Sequence, residues 1–146
     1  MVASFFLTSC AKNDAGAGKS AGHTHTAPHG GSLFELGEHA YSLELVREAG
    51  EGKLIAYLLD GHAEQFIRIK ATAFDATATV GGEHRPITFK AVANTATGET
   101  AGDTSQFEAE ADWLKTTATF DLTLPHLEIR GNVYTNITLN FPKGNP

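Results

Sequence analysis

Period-two alternation of apolar and polar residues recurs along the chain, and it constrains the fold more than any other feature. In Thr117–Leu124, Ala118, Phe120, Leu122 and Leu124 fall on one face, while Thr117, Thr119, Asp121 and Thr123 fall on the other. An extended backbone sends successive side chains to opposite faces, so this pattern specifies a half-buried strand. Ile137, Leu139 and Phe141 alternate with Asn136, Thr138 and Asn140 in the same way. So do Phe74, Ala76, Ala78 and Val80 with Asp75, Thr77 and Thr79, and Tyr41, Leu43 and Leu45 with Ser42 and Glu44. That last pattern places Glu44, like Glu35, on the polar face of an early strand, where both are candidate ligands.

Leu54-Ile55-Ala56-Tyr57-Leu58-Leu59 is apolar on both faces, which predicts a central strand over 53–59; further strands are expected at 87–92 and 106–110. Turn signals separate these segments: Gly50 to Gly52, Asp60-Gly61, Gly81-Gly82, and Thr97-Gly98 through Gly102-Asp103. The 50–52 connection reads as a hairpin. No segment has the period of an amphipathic helix of ordinary length. The expected fold is therefore all-β, an antiparallel β-sandwich of about seven to nine strands, Ig-like, with a small barrel as the alternative. Phe107, Trp113 and Phe120 are read as core.

The N-terminal 28 residues do not belong to that pattern. Cys10 is the only cysteine, and it follows Phe5-Phe6-Leu7-Thr8-Ser9, the end of a lipoprotein-type signal peptide. Residues 1–9 are read as that signal, with a longer leader expected because Met1-Val2-Ala3-Ser4 has no basic start. Lipidation at Cys10 would tie the chain to a membrane, and Ala11 after the cysteine favours the outer over the inner membrane. The competing reading is a lone unmodified cysteine. Residues 10–28 contain no aliphatic side chain larger than alanine after Cys10, so they read as a tether. A Gly/Ala/Ser chain of that length spans roughly 20–25 Å. The folded part is assigned to 29–142, with a tail at 143–146. Neither the tether nor the strands approach the ~20 apolar residues of a helical membrane span.

The domain of about 118 residues is long enough to bury a core without disulfides. The chain carries 11 basic and 17 acidic residues, a net charge of -6, which argues against nucleic acid as a partner.

Seven histidines stand out, three of them in His23-Thr24-His25-Thr26-Ala27-Pro28-His29, where tether meets domain. In an extended chain His23 and His25 project to the same side, about 6.5–7 Å apart at Cα. Pro28 and Gly30-Gly31 could bend His29 into the same shell. Neutral imidazole, the main form of an unperturbed histidine side chain at pH 7, ligates zinc, copper and nickel. The metal candidates are therefore His23, His25 and His29, with His62 in Asp60-Gly61-His62 as a possible fourth ligand. His39 in Gly37-Glu38-His39 could also complete a shell; both turn histidines could equally face solvent. His84 and His126 read as structural. A polar tether whose histidines contact only water is the competing reading of the whole cluster.

No Gly-x-Ser-x-Gly elbow, His-Glu-x-x-His pair or phosphate-cradling loop is present, and the expectation is a non-enzyme.

Several segments resemble one family: Ala27-Pro28-His29-Gly30-Gly31-Ser32-Leu33, Leu36-Gly37-Glu38, Glu44-Leu45-Val46, Leu54-Ile55-Ala56-Tyr57, Asp60-Gly61 and Ile87-Thr88-Phe89-Lys90. Together with the region 107–141 they look like the N-terminal β-domain of periplasmic adaptor proteins from heavy-metal efflux pumps of the cobalt-zinc-cadmium type. The resemblance covers about 28–142, and its sharpest motif is Pro28-His29-Gly30-Gly31. It implies a β-sandwich on the periplasmic side of a bacterial envelope and a role in heavy-metal handling, with efflux-pump components as partners. An adaptor also carries a helical hairpin, a lipoyl-like domain and a barrel, which these residues do not supply. The expected protein is a free-standing, lipid-anchored version that binds a divalent transition metal for buffering or delivery. The alternative is a structural or protein-interaction envelope lipoprotein with no metal role.

Overall fold

A computed structural model describes residues 24–144. His23 and Cys10 lie outside the described residues, as do the signal peptide and most of the tether. The described residues form eight strands: β1 Ser32–Leu36, β2 Tyr41–Glu48, β3 Lys53–Asp60, β4 Ala73–Val80, β5 Glu83–Ala91, β6 Gln106–Glu110, β7 Phe120–Ile129 and β8 Asn132–Phe141. All pairings are antiparallel, and the strands join in one sheet ordered β1-β2-β3-β6-β5-β4-β7-β8. The all-β antiparallel expectation holds, with a strand count inside the expected range. One continuous ladder curls nearly into a barrel, and its two edges meet where Ser32 Oγ donates to the Pro142 carbonyl at 2.7 Å.

The inward residues of all eight strands fill one core. Phe34, Leu43, Leu45, Leu54, Leu58, Phe89, Phe107, Leu122 and Leu124 are almost wholly buried. Phe74 stacks on Phe89 at 4.9 Å between ring centroids and meets Phe107 at 5.1 Å. β3 lies between β2 and β6, and apolar residues on both of its faces are buried, as its composition predicts.

Two expectations need correction. The strand expected from Thr117 begins at Phe120, because the residues before it close a 3-10 turn over Asp112–Lys115: the N–H groups of Thr116 and Thr117 both donate to the Trp113 carbonyl. The second concerns Glu44, placed on a solvated face by alternation. Its side chain is fully buried, as is Ser42. Period two assigned the face correctly, but the segment running into β1 covers that face, so a polar position became an interior one.

Among the described residues, no helix is long and apolar enough to cross a membrane.

Candidate functional site

Two turns and the N-terminal arm converge at one end of the sheet. The first turn joins β1 to β2. Gly37, Glu38 and His39 all have positive φ, at 61°, 52° and 67°, and the Ala40 N–H donates to the Gly37 carbonyl at 3.1 Å. Glu35 compensates for the strained conformation at His39. Its Oε1 accepts the His39 N–H at 2.7 Å, and its Oε2 lies 3.1 Å from His39 Nδ1. One carboxylate thus holds both the backbone and the ring.

The second turn leaves β3. Asp60 Oδ1 accepts the N–H groups of Glu64 and Gln65 at 2.8 and 3.1 Å, and the Asp60 N–H donates back to the Gln65 carbonyl. Burial pushes the Asp60 carboxyl up. The two amides and the nearby His62 outweigh burial and hold it below the ordinary carboxylate range. The β2–β3 register pairs Tyr41 with Asp60, so the β1–β2 turn and the turn holding His62 sit side by side. Gly61 makes this fit possible, since a Cβ there would collide with the His39 carbonyl oxygen and come within 2.7 Å of its carbon.

His25 reaches this end from the arm. Its ring lies 5.5 Å from the His62 ring and 6.4 Å from the His39 ring, centroid to centroid, both edge to face. A cleft of about 390 Å³ opens beside it, lined in part by His25, Glu35, Ser42 and Lys143.

His29 sits in different surroundings. Its Nδ1 is 2.9 Å from Glu44 Oε2, and its ring stacks on Tyr57 at 3.8 Å with an interplanar angle of 13°. Phe66 approaches the same ring at 5.6 Å. Burial, followed by the negative charge of Glu44, Glu108 and Glu48, pushes the Tyr57 phenol up.

Of the expected ligands, the structure brings His25 and His62 together, gives His29 the Glu44–Tyr57 surroundings, and leaves His23 outside the described residues. It adds His39, which sequence reasoning left open between a shell and solvent. The available signal was the Leu36-Gly37-Glu38-His39 turn facing Asp60-Gly61-His62, two turns that share an end only once β2 pairs with β3. His84 and His126 stand on exposed strand positions, His84 Nδ1 being 3.2 Å from Thr79 Oγ1.

Among the described residues, no three His, Cys, Asp or Glu side chains form a ready-made metal group. The His25 ring stands edge to face with each of the other two rings. No protein-family model matches this chain, and no curated protein or solved structure matches it. The functional reading therefore rests on the residues themselves.

Proposed function

We propose that this chain is a lipid-anchored extracytoplasmic domain that binds one divalent transition metal, buffering it or passing it to efflux components. The ligands assigned here are His25, His39 and His62. The observation that carries this reading is the approach of the His25 ring to two histidine rings held on separate turns.

Two imidazoles sharing a zinc ion at about 2.0–2.1 Å per nitrogen place their centroids roughly 5 Å apart at a tetrahedral angle. The observed 5.5 and 6.4 Å separations lie slightly outside that value, within reach of side-chain rotation. Half-buried His25 and exposed His62 have room to rotate toward His39, whose ring Glu35 holds. Glu35 beside His39 Nδ1 favours the tautomer that protonates this nitrogen and leaves Nε2 as the donor. By sequence, His23 stands two positions from His25 and could supply a fourth nitrogen. Three neutral imidazoles suit zinc, copper or nickel. Attachment at Cys10 would keep the site near a membrane and raise its effective concentration toward membrane partners.

Calorimetric titration with zinc, cupric and nickel ions tests this assignment, comparing the wild-type chain with the His39→Ala/His62→Ala double variant. Loss of at least 100-fold in affinity is expected in the variant. Undiminished binding would remove these two residues from the site, and no binding by the wild type would end the metal reading. Cys10→Ala should shift the protein from the membrane to the soluble fraction; equal partition of both proteins would end the anchor reading.

A further inference from the structure

We infer that Glu44 and His29 form a positioning clasp that docks the N-terminal arm on β2 and so presents His25 to His39 and His62. This inference rests on the metal reading above.

Glu44 is wholly inaccessible to solvent, yet both carboxylate oxygens are occupied by one short segment of chain. Its Oε1 accepts the N–H groups of His29 and Gly31, each at 2.9 Å, and its Oε2 lies 2.9 Å from His29 Nδ1. Glu44 stands opposite Tyr57 in the β2–β3 register, so the ring that Glu44 holds lies flat on Tyr57. Phe66, returned toward β3 by its bridge to Leu59, flanks the same ring.

The arm is flush against the strand. A Cβ on Gly31 would collide with the Leu45 carbonyl oxygen and come within 2.8 Å of Val46 Cγ2, so glycine alone permits the approach. A turn closes just ahead of the clasp, where the Gly30 N–H donates to the Ala27 carbonyl at 3.1 Å and Gly30 has φ of 71°. His25 lies two residues before that turn. The backbone from Ala27 to Gly31 is therefore tied at several points, and His25 projects from its free end.

Burying a carboxylate costs free energy that an apolar residue at the same strand position would not. Local inconsistency of this kind is expected where function requires it. The three donors to Glu44 all come from residues 29–31, and fixing that segment is what the charge accomplishes. An undocked arm would have to lose its conformational freedom each time a metal bound, which lowers affinity.

The test uses the full chain, with Glu44→Ala and His29→Phe as variants and zinc and cupric ions as probes. Phenylalanine keeps the stack on Tyr57 and both amide bonds to Glu44 Oε1 while removing the ring's bond to Oε2, so His29→Phe carries the test if Glu44→Ala fails to fold. Hydrogen exchange without metal should show the amides of residues 29 and 31 losing protection, more in Glu44→Ala, which removes their acceptor, than in His29→Phe, which removes only the ring bond. Zinc affinity should fall roughly tenfold or more, the scale on which loss of supporting hydrogen bonds weakens metal sites. Electron paramagnetic resonance of the cupric form should count the same number of nitrogen ligands as in wild type. Lost protection with unchanged zinc affinity would overturn the positioning role. One fewer nitrogen ligand in His29→Phe would overturn it too, making His29 a ligand. A wild-type chain that binds neither ion would instead defeat the underlying metal reading.

Discussion

Gly61→Ala is the substitution that most directly probes how the sheet holds the two histidine turns together. The added methyl would come within 2.7 Å of the His39 carbonyl carbon and closer still to its oxygen, with the Ala40 carbonyl carbon 3.5 Å away. The oxygen is the limiting contact, and because a Cβ essentially never sits within 3.0 Å of another non-bonded atom, the two turns would have to part by more than ~1 Å. Both sides of the collision are backbone, leaving no flexible side chain to swing aside. Overpacking of this kind costs about 1–3 kcal/mol, and the backbone contact places this case near the upper end. For a domain of this size that is on the order of 10 °C in melting temperature. Urea unfolding of the variant and wild type reads the loss directly. Gly50→Ala is the control, because a Cβ at Gly50 meets nothing within 4 Å and its φ lies outside the left-handed region. It should stay within about 0.5 kcal/mol of wild type. Zinc titration of the same proteins should show Gly61→Ala weakened and Gly50→Ala unchanged, since only the former moves His39 relative to His62. Equal stability of the two variants would refute the reasoning about this contact.

Three further outcomes are expected. Asp60 is held below the ordinary carboxylate range in the folded state, so its stabilisation is complete above the unfolded value near pH 4 and is lost as pH falls through the folded value. Asp60→Asn should therefore flatten the acid limb of the stability curve below about pH 4, and urea midpoints across pH 2–6 check this. Phe107→Ala should cost about 3–5 kcal/mol in the same unfolding assay, because Phe107 is fully buried against Phe74; a loss under ~1 kcal/mol would contradict its place in the core. Val133→Ala, at a residue 54% exposed on β8, should change stability by less than about 0.5 kcal/mol.

Much of the architecture was legible in the residues. Alternation in Phe74–Val80 and Phe120–Leu124 marked strands and their faces, and the two-sided apolar run from Leu54 to Leu59 marked a central strand. Gly81-Gly82 marked a turn, which joins β4 to β5, and both glycines have positive φ, at 56° and 84°. These signals are local, since each depends on side-chain direction along one strand or on the conformational freedom of one turn. The site was legible only in part. His25 and His62 were candidates by residue type, whereas His39 and the orienting carboxylates Glu35 and Glu44 had no signal stronger than a turn or a polar strand position.

By itself the sequence determined an all-β chain, the location of most strands, the buried side of those that alternate, and an unusual density of imidazole near the N-terminus. Tertiary structure decided which strands pair out of order, with β3 beside β6 and β4 beside β7. It also decided that Glu44 is interior and that the rings near His25 are those of His39 and His62. The physical reason is that periodicity specifies only a strand's two faces. Which turns share an end, and which face a crossing segment covers, follow from hydrogen bonding between distant strands and from the curl that brings the sheet's edges together.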